Sequence, residues 1–369
     1  MNKKMERDIS MTAAPWGGEL APSWARLIET AFFEDIQDVG DITTDAVFNN
    51  GQARPSGTTE NGNPGKADAE HLHTKTHAFP QGNSGYEDNN GIRSPPHNGE
   101  PCHRNSGYED NNGNQGTYYL VAKQDGVLCG AVMFIRSFEY IDASCRLRFH
   151  FADGDILKSG DIVATVQGSI HSMLKAERTA LNFISHLSGI ATLTRSYVDA
   201  AKASGNARIM DTRKTLPGWR SLQKYAVRCG GGTNHRMGLY DMVMIKDNHI
   251  DGAGGITPAV LKVRQCWGDR FKVEVETRNL QEVQEALDAG VDVIMLDNMD
   301  ETAMKEAVGI IAGRAATEAS GNMNLERIPS VAGTGVDAIS VGALTHSAPV
   351  FDFSFRKRGA LFDSNGIYC

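Results

Sequence analysis

Cationic side chains concentrate in the stretch MDTRKTLPGWR, residues 210–220, where Asp211 and Thr212 lead directly into Arg213 and Lys214. From Arg213 to Lys246 there are seven Lys or Arg residues and one acidic residue, in a chain whose formal net charge is −8. A guanidinium group can bind a carboxylate through two parallel hydrogen bonds, and an ammonium group adds a point charge. This local cluster in an acidic protein therefore predicts a site for a small, densely anionic ligand.

Composition limits the classes of protein to consider. At 369 residues the chain has room for two domains, and its net charge of −8 argues against a nucleic-acid partner. The six cysteines form no CxxC pair, which favours reduced thiols over a disulfide framework or a structural zinc site. The N-terminal segment lacks the apolar core of a secretory signal, and no apolar run is long enough to span a membrane. We expect a cytoplasmic protein without a membrane partner.

The second half of the chain alternates short apolar runs with amphipathic helical stretches. Such alternation predicts βα units around a parallel sheet, and the spacing suits a (β/α) barrel. Six strands can be read, so the prediction is an α/β fold with an incomplete (β/α) barrel over residues 191–345. The predicted strands are residues 207–211, 242–246, 272–276, 293–297, 316–321 and 338–344.

The first half predicts a separate α+β open-sandwich domain, formed by residues 22–48 and 118–190, with residues 346–369 packing on it. Its predicted elements are a helix over 22–36, two strands within 118–135, a strand pair within 155–169 and a helix over 175–201. Residues 49–117 are rich in Gly, Asn, His and Pro and contain NSGYEDNNG twice. They bury too little apolar surface to offset the entropy of ordering, so we predict a disordered insertion of unassigned role.

Polar or glycine residues stand where each predicted barrel strand ends, and the carboxyl ends of barrel strands meet at one opening. The cations suit a dense anion, and backbone N–H groups beside glycines suit a phosphate. The carboxylates suit Mg²⁺, ribose hydroxyls or a developing cation. The cationic group is Arg213, Arg236 and Lys246 with His235 beside them; the carboxylates are Glu276 and Asp297; the glycine positions are Ser320–Gly321 and Gly342.

One ambiguity concerns the strand KVEVE. Glu274 shares a face with Glu276, so either carboxylate could point into the barrel. Glu276 is favoured because it ends the predicted strand.

Several long motifs, in order, resemble the quinolinate phosphoribosyltransferase family, also called nicotinate-nucleotide pyrophosphorylase (carboxylating), of NAD biosynthesis. They are ERTALNFISHLSGIAT, DTRKTLPGWR, GGGTNHRMGLYDMVMIKDNHI, KVEVE, IMLDN and ISVGALTHSAPVFDFS. The resemblance runs from about Pro22 to Arg356, apart from the insertion. It implies a decarboxylating pentosyltransferase that converts quinolinate and phosphoribosyl pyrophosphate to nicotinate mononucleotide, pyrophosphate and CO₂ with Mg²⁺.

The resemblance also implies roles for individual residues. Arg178 would reach the neighbouring subunit's site, which makes the active unit a homodimer, possibly within a higher oligomer. Quinolinate would bind Arg213, His235, Arg236 and Lys246, and the 5′-phosphate would bind Ser320, Gly321 and Gly342. Lys214, Glu276 and Asp297 would be catalytic residues around phosphoribosyl pyrophosphate, the two acids through its Mg²⁺. Thr212 and Asn322 are further predicted substrate-binding residues.

Asn322 departs from the family pattern, which commonly has glycine there. Asn tolerates positive φ better than other non-glycine residues, so we expect the loop geometry to survive.

Two other functions are compatible with a barrel of this kind. A related transferase could act on nicotinate or another planar anion without decarboxylation, and would need fewer cations. A catalytically silent barrel kept for binding would ordinarily have lost part of the cation cluster or a carboxylate, and here all are present.

Overall fold

The structure is a computed structural model that describes residues 22–37, 40–48 and 114–357. The predicted disordered insertion lies mostly outside these described residues. Its C-terminal limit differs from the prediction, because the first strand begins at Gln115.

The N-terminal region contains a four-stranded sheet covered by helices. Strand order is β12–β1–β5–β3, and all of its pairings are antiparallel. Strand β12, Phe353–Lys357, comes from the C-terminal part of the chain and pairs with β1. The other elements are α1 Pro22–Ile36, α2 Ile42–Phe48, β1 Gln115–Ala122, β2 Gly126–Val127, α3 Ala131–Ile141, β3 Arg146–Phe149, β4 Ile156–Leu157 and β5 Ile162–Ser169.

Two strands do lie within residues 118–135, β1 and the short β2. The apolar run after Gly130, however, is helix α3, because Met133, Phe134 and Phe138 lie on one buried face that packs on the next long helix. Strands do occur within residues 155–169, but they do not pair with each other. Strand β4 pairs with β2, whereas β5 pairs with β1 and β3.

A single long helix, α4, Ile170–Lys202, connects this region to the barrel. Its buried positions include Ala180, Ile184 and Leu187, on the face predicted from the sequence. It packs on α3 on one side and on the first barrel helix on the other. Helix α4 therefore packs against both the N-terminal region and the barrel.

None of the helices that the structure describes combines the length and the apolar character needed to cross a bilayer.

All six predicted barrel strands are confirmed. They form one parallel sheet in the order β6–β11–β10–β9–β8–β7. The elements are β6 Arg208–Met210, α5 Arg220–Cys229, β7 Val243–Ile245, α6 Asp247–Ala253, α7 Ile256–Trp267, β8 Val273–Thr277, α8 Leu280–Asp288, β9 Val293–Asp297, α9 Glu301–Ile311, β10 Ala316–Ser320, α10 Ile328–Ala332, β11 Ala338–Ser340 and α11 Ala343–His346.

The segment after α5 bridges the two edge strands of this sheet. Thr233 pairs in parallel with Met210 at the end of β6. A few residues later, Arg236 Nη1 donates to the carbonyl of Met242, 3.0 Å away, just before β7. The gap in the incomplete barrel is therefore occupied by residues 233–236, which carry His235 and Arg236.

Gly189 predicts a measurable consequence of the close packing around α4. A Cβ atom there would lie 2.0 Å from the carbonyl oxygen of Pro349, a backbone atom that cannot rotate away. Although Ala normally favours helix, Gly189→Ala should lower the free energy of unfolding by about 1–3 kcal/mol through overpacking. Gly309→Ala in α9 is the matched control, since no atom lies within 4 Å, and it should raise stability by up to about 1 kcal/mol. Urea unfolding of both variants checks this; equal changes would exclude the clash.

Candidate active site

A buried ion pair joins the end of β6 to α5. Lys224 Nζ contacts Asp211 Oδ1, and both side chains are fully buried. Lys224 also donates to the carbonyl oxygen of His235 at 3.0 Å, and the amide of His235 donates to Asp211 Oδ1 at 2.9 Å. The pair therefore holds the backbone of His235 from both sides, next to the segment that carries Arg213.

His235 points into the barrel interior, towards two carboxylates. Its Nε2 atom lies 3.2 Å from Glu274 Oε2 and 3.4 Å from Glu318 Oε2, as ion-pair contacts without hydrogen-bond alignment. Glu274 is fully buried, whereas the side chain of Glu276, two residues on, is 15% exposed. The two glutamates thus share a face, with Glu274 deep in the barrel and Glu276 at its opening.

The His235 cluster holds an extra proton at neutral pH. The pKa of His235 is raised to about 10: burial opposes this shift, and the Glu274 and Glu318 carboxylates outweigh it. Burial also raises the pKa of Glu274 to about 6, with Glu318 adding to the effect. His235 Nδ1 accepts a hydrogen bond from the amide of Arg236 at 2.7 Å, so Nε2 carries the ring proton and the further proton of the cluster is held by the carboxylates of Glu274 and Glu318. The hydrogen bond from the Arg236 amide to His235 Nδ1 thus helps to position Arg236.

Arg213 and Arg236 carry neighbouring guanidinium groups, and Glu274, Glu276 and Asp241 offset part of the positive charge at Arg236. Arg213 Nε is buried and makes no hydrogen bond to any described residue. Burial, together with the nearby Arg213, lowers the pKa of the Arg236 guanidinium. A buried donor without a partner, beside a second cation, is costly unless a ligand supplies the anion. This is the strongest sign of an anion site among the described residues.

At the opposite side of the opening, Lys246 Nζ contacts Glu276 Oε1. Lys246 follows β7 directly, and its amide donates to His249 Nδ1 at 2.9 Å. His249 is exposed and caps the start of α6, as expected for a structural hydrogen-bonding residue.

The loops after β9 and β10 are joined above the sheet. Asn322 Nδ2 donates to Asn298 Oδ1 at 3.2 Å, and Asn298 Nδ2 donates to Asp297 Oδ2 at 2.8 Å. Gly321 has φ 92°, and a Cβ there would lie 2.2 Å from Asn298 Oδ1. Asn322 has φ 50°, so the expected positive φ at this departure from the family pattern is confirmed. Ser320 and Asp297 end neighbouring strands in register.

Lys214 and Gly342 meet on the far side of the opening. A Cβ atom at Gly342 would lie 3.0 Å from Lys214 Cδ and 3.2 Å from His346 Nε2. The Thr212 hydroxyl accepts from the Lys214 amide at 3.0 Å, which shapes the turn between them. Sequence reasoning missed His346, although it lies within the quoted motif ISVGALTHSAPV.

Arg178 does not contact the predicted site residues at the barrel opening. It is exposed on α4 and makes no hydrogen bond or ion pair with any described residue. Its predicted role in a neighbouring subunit's site stays a prediction.

Comparisons with known proteins agree with this geometry. A family model described as "Quinolinate phosphoribosyl transferase, C-terminal domain" matches residues 190–356, and the corresponding N-terminal domain model matches residues 108–188. The chain is 44% identical over 235 residues to a probable nicotinate-nucleotide pyrophosphorylase [carboxylating] of Bacillus subtilis, covering 64% of this chain and 81% of the relative. The chain belongs to the quinolinate phosphoribosyltransferase family.

Solved structures with names from this family share its fold. NadC from Streptococcus pyogenes is 35% identical, with a TM-score of 0.71 over 92% of this chain and 97% of that one. The nicotinate-nucleotide pyrophosphorylase from Francisella tularensis is 32% identical, with a TM-score of 0.71 over 92% and 98%. A chloroplastic relative from Arabidopsis thaliana is 46% identical over 256 residues, covering 64% of this chain and 73% of the relative.

Gln223 is a second residue that sequence reasoning missed in this member of the family. It is fully buried, and its Oε1 accepts from the amide of Leu216 at 2.9 Å. Its Nε2 donates to the carbonyl of Thr345 at 3.1 Å and to His186 Nε2 at 2.9 Å. The Thr345 hydroxyl in turn donates to the carbonyl of Lys214 at 2.7 Å. Gln223 therefore connects the Arg213–Lys214 loop to α4 and α11.

His186 predicts a pH dependence of stability. Burial lowers the pKa of His186, and its Nε2 must stay unprotonated to accept from Gln223. The pKa of His186 in the folded state lies below its unfolded value of about 6.5, so the stabilisation from neutral His186 is fully present above pH 6.5. It is lost as the pH falls from about 6.5 towards the folded-state pKa, and the free energy of unfolding then falls by at most about 1.4 kcal/mol per pH unit. In His186→Gln, the free energy of unfolding should fall less steeply on acidification than in the wild type. His150→Gln, an exposed control, should keep the wild-type slope, and an unchanged slope in His186→Gln would contradict the assignment.

Proposed function

We propose that this chain converts quinolinate and phosphoribosyl pyrophosphate to nicotinate mononucleotide, pyrophosphate and CO₂. The observation that carries the proposal is the buried Arg213 Nε atom, which has no hydrogen-bond partner among the described residues, beside Arg236 and at the end of the barrel that also holds Lys246. Glu276 and Asp297 lie at the carboxyl ends of β8 and β9 in the same sheet. The opening therefore has a cationic part and a carboxylate part, which suit a bare dicarboxylate and a pyrophosphate ester that carries Mg²⁺.

The cationic part suits a pyridine dicarboxylate. Quinolinate has adjacent carboxylates that repel each other, and removing both from water costs several kcal/mol per ion unless cations bind them. Arg213 and Arg236 each offer a planar fork of donors, and Lys246 can move from Glu276 to the ligand. A ligand with a single carboxylate would leave part of this charge unbalanced.

The carboxylate part fits Mg²⁺ carried by phosphoribosyl pyrophosphate. Mg²⁺ prefers hard oxygen ligands and is usually held by one or two protein carboxylates together with substrate phosphates. Asp297 is half-buried at the opening, and its Oδ2 is held in place by Asn298. Glu276 is available once Lys246 turns to quinolinate. When bound, the ion would neutralise charge on the departing pyrophosphate.

The residues position the reactants, and no protein nucleophile is needed. The N1 lone pair of quinolinate forms a bond to C1′ of the ribose as the bond from C1′ to pyrophosphate breaks. The pyrophosphate leaves with the electron pair of the broken C1′–O bond. Asp297 and Glu276 can stabilise the oxocarbenium-like ribose electrostatically. The bond from C2 to its carboxylate then breaks, CO₂ leaves, and the electron pair stays at C2 beside the cationic nitrogen until a proton is added there.

The 5′-phosphate would bind the other side of the opening, at Ser320, Gly321, Asn322 and Gly342, where Lys214 also lies. The homodimer and the cytoplasmic location stay predictions from the sequence, as does the absence of a nucleic-acid partner. A coupled assay of CO₂ release tests the activity itself. Release that requires quinolinate, phosphoribosyl pyrophosphate and Mg²⁺ supports the proposal, whereas nicotinate turnover without CO₂ would replace it.

Arg213→Ala should weaken quinolinate binding while leaving the fold intact. The change removes a charge-assisted ligand contact of roughly 1.5–3 kcal/mol, so the Kd for quinolinate should rise by about tenfold or more. Isothermal calorimetry measures the affinity, and thermal unfolding verifies the fold. Arg195→Ala serves as the control because Arg195 pairs only with Asp199 on the exposed side of α4. If Arg213→Ala bound quinolinate as tightly as the wild type, the assignment of Arg213 to the quinolinate site would be wrong.

Mixing two inactive variants tests whether Arg178 acts across a dimer. In a heterodimer of Arg178→Ala and Arg213→Ala subunits, one site regains both arginines and the other loses both. After subunit exchange at equal amounts, activity should recover to about a quarter of the wild-type value, because half of the dimers are mixed and each has one intact site. No recovery despite verified exchange would place Arg178 in its own subunit's site or outside the site altogether.

A further inference from the structure

Three metal-binding side chains converge away from the barrel opening. Cys129 precedes α3, Asp153 lies in the loop between β3 and β4, and Cys229 ends α5. The two Sγ atoms and a carboxylate oxygen of Asp153 all lie within 4.8 Å of one another. None of these residues belongs to the proposed quinolinate or phosphoribosyl pyrophosphate site, and the sequence gives no CxxC spacing that would have revealed them.

Neighbouring groups hold the donors in place. Asp153 Oδ1 accepts from the Ala131 amide at 3.1 Å, and Asp153 Oδ2 accepts from the Tyr225 hydroxyl at 2.8 Å. The backbone of Cys129 is fixed from both sides by Ser188, whose Oγ accepts from its amide at 2.9 Å and donates to its carbonyl at 3.0 Å. Hydrogen bonds of this kind orient metal ligands in known sites. The Asp153 carboxylate and the backbone of Cys129 are therefore held in place by neighbouring groups.

We propose that Cys129, Cys229 and Asp153 form a binding site for one thiophilic divalent cation of the Zn²⁺ class. Two sulfur ligands select a soft or borderline ion over Mg²⁺ or Ca²⁺, and one carboxylate completes three protein ligands of a tetrahedral ion. The remaining position would be filled by solvent. The ligand atoms lie within 4.8 Å of one another, and rotation of the thiols can bring them to normal zinc geometry.

A carboxylate beside two thiols attracts a divalent cation. Binding releases two thiol protons to solvent and leaves a site with one net negative charge, near the Arg228 guanidinium that lies 5.7 Å from the Tyr225 ring.

Such an ion would connect the two halves of the chain. Cys129 and Asp153 belong to the N-terminal region, whereas Cys229 ends the helix that carries Gln223 and Lys224. Its effect would be on stability, because none of its ligands faces the barrel opening.

Co²⁺ is the probe for the test, since thiolate coordination produces a near-ultraviolet charge-transfer band. The full-length chain is used with Cys102→Ser, Cys266→Ser and Cys369→Ser, which removes the cysteines outside the cluster except buried Cys145. We expect one Co²⁺ per chain, displacement by Zn²⁺, and a higher Tm with Zn²⁺. Cys129→Ser and Cys229→Ser should each abolish the band, and Asp153→Asn should weaken Co²⁺ affinity at least tenfold.

Cys145→Ser is the matched control, because Cys145 is buried but lies outside the cluster, and it should leave the band unchanged. If a ligand variant fails to fold, the binding stoichiometry of the parent chain and its competition with Zn²⁺ still decide the question. Absence of the thiolate band, its persistence in both cysteine variants, or a Cys129–Cys229 disulfide in place of metal binding would each overturn the proposal. CO₂ release should be unchanged in Cys145→Ser and does not enter the decision, so failure of the proposed function would be seen separately.

Discussion

The arrangement of the opening depends on the buried ion pair between Asp211 and Lys224. Burying two charges costs several kcal/mol per ion, and their attraction offsets that cost only where further hydrogen bonds satisfy the remaining donors and acceptors. Here the backbone of His235 supplies both, donating to Asp211 and accepting from Lys224. The contacts that stabilise the pair are thus the same ones that place His235 and Arg236 beside Arg213.

Positively and negatively charged side chains are unevenly distributed at the opening next to this ion pair. Arg213 and Arg236 place two guanidinium groups near each other, and Lys246 forms an ion pair with Glu276 that an anionic ligand can break. Preorganised charge of this kind binds most strongly to a ligand, or a transition state, that has the complementary distribution. One opening can therefore bind a dicarboxylate and stabilise a developing cation at the same time.

The loops around the opening are held by residues outside the set of predicted site residues. Gln223 connects the Arg213–Lys214 loop to α4 and α11, and Arg327 donates to the carbonyls of Gly321 and Met299 beneath the loops after β9 and β10. Rigid support of this kind lowers the entropy lost when a ligand binds. The long helix α4 adds a connection between the opening and the N-terminal sheet, so changes in packing at that helix can affect the loop.

The sequence by itself determined the six barrel strands, the polar residues at their ends and the concentration of cations, because strand periodicity and charge are local properties of the chain. It also predicted the positive φ at Asn322, which depends on a single residue type. Only the tertiary structure separated Glu274 from Glu276, because both lie on one strand face and depth in the barrel is set by the neighbouring strands. Three further features could not be predicted from the sequence: the helix Ala131–Ile141, the contacts of Gln223 and the Cys129–Asp153–Cys229 cluster. Each depends on residues that are distant in the chain and that only packing brings together.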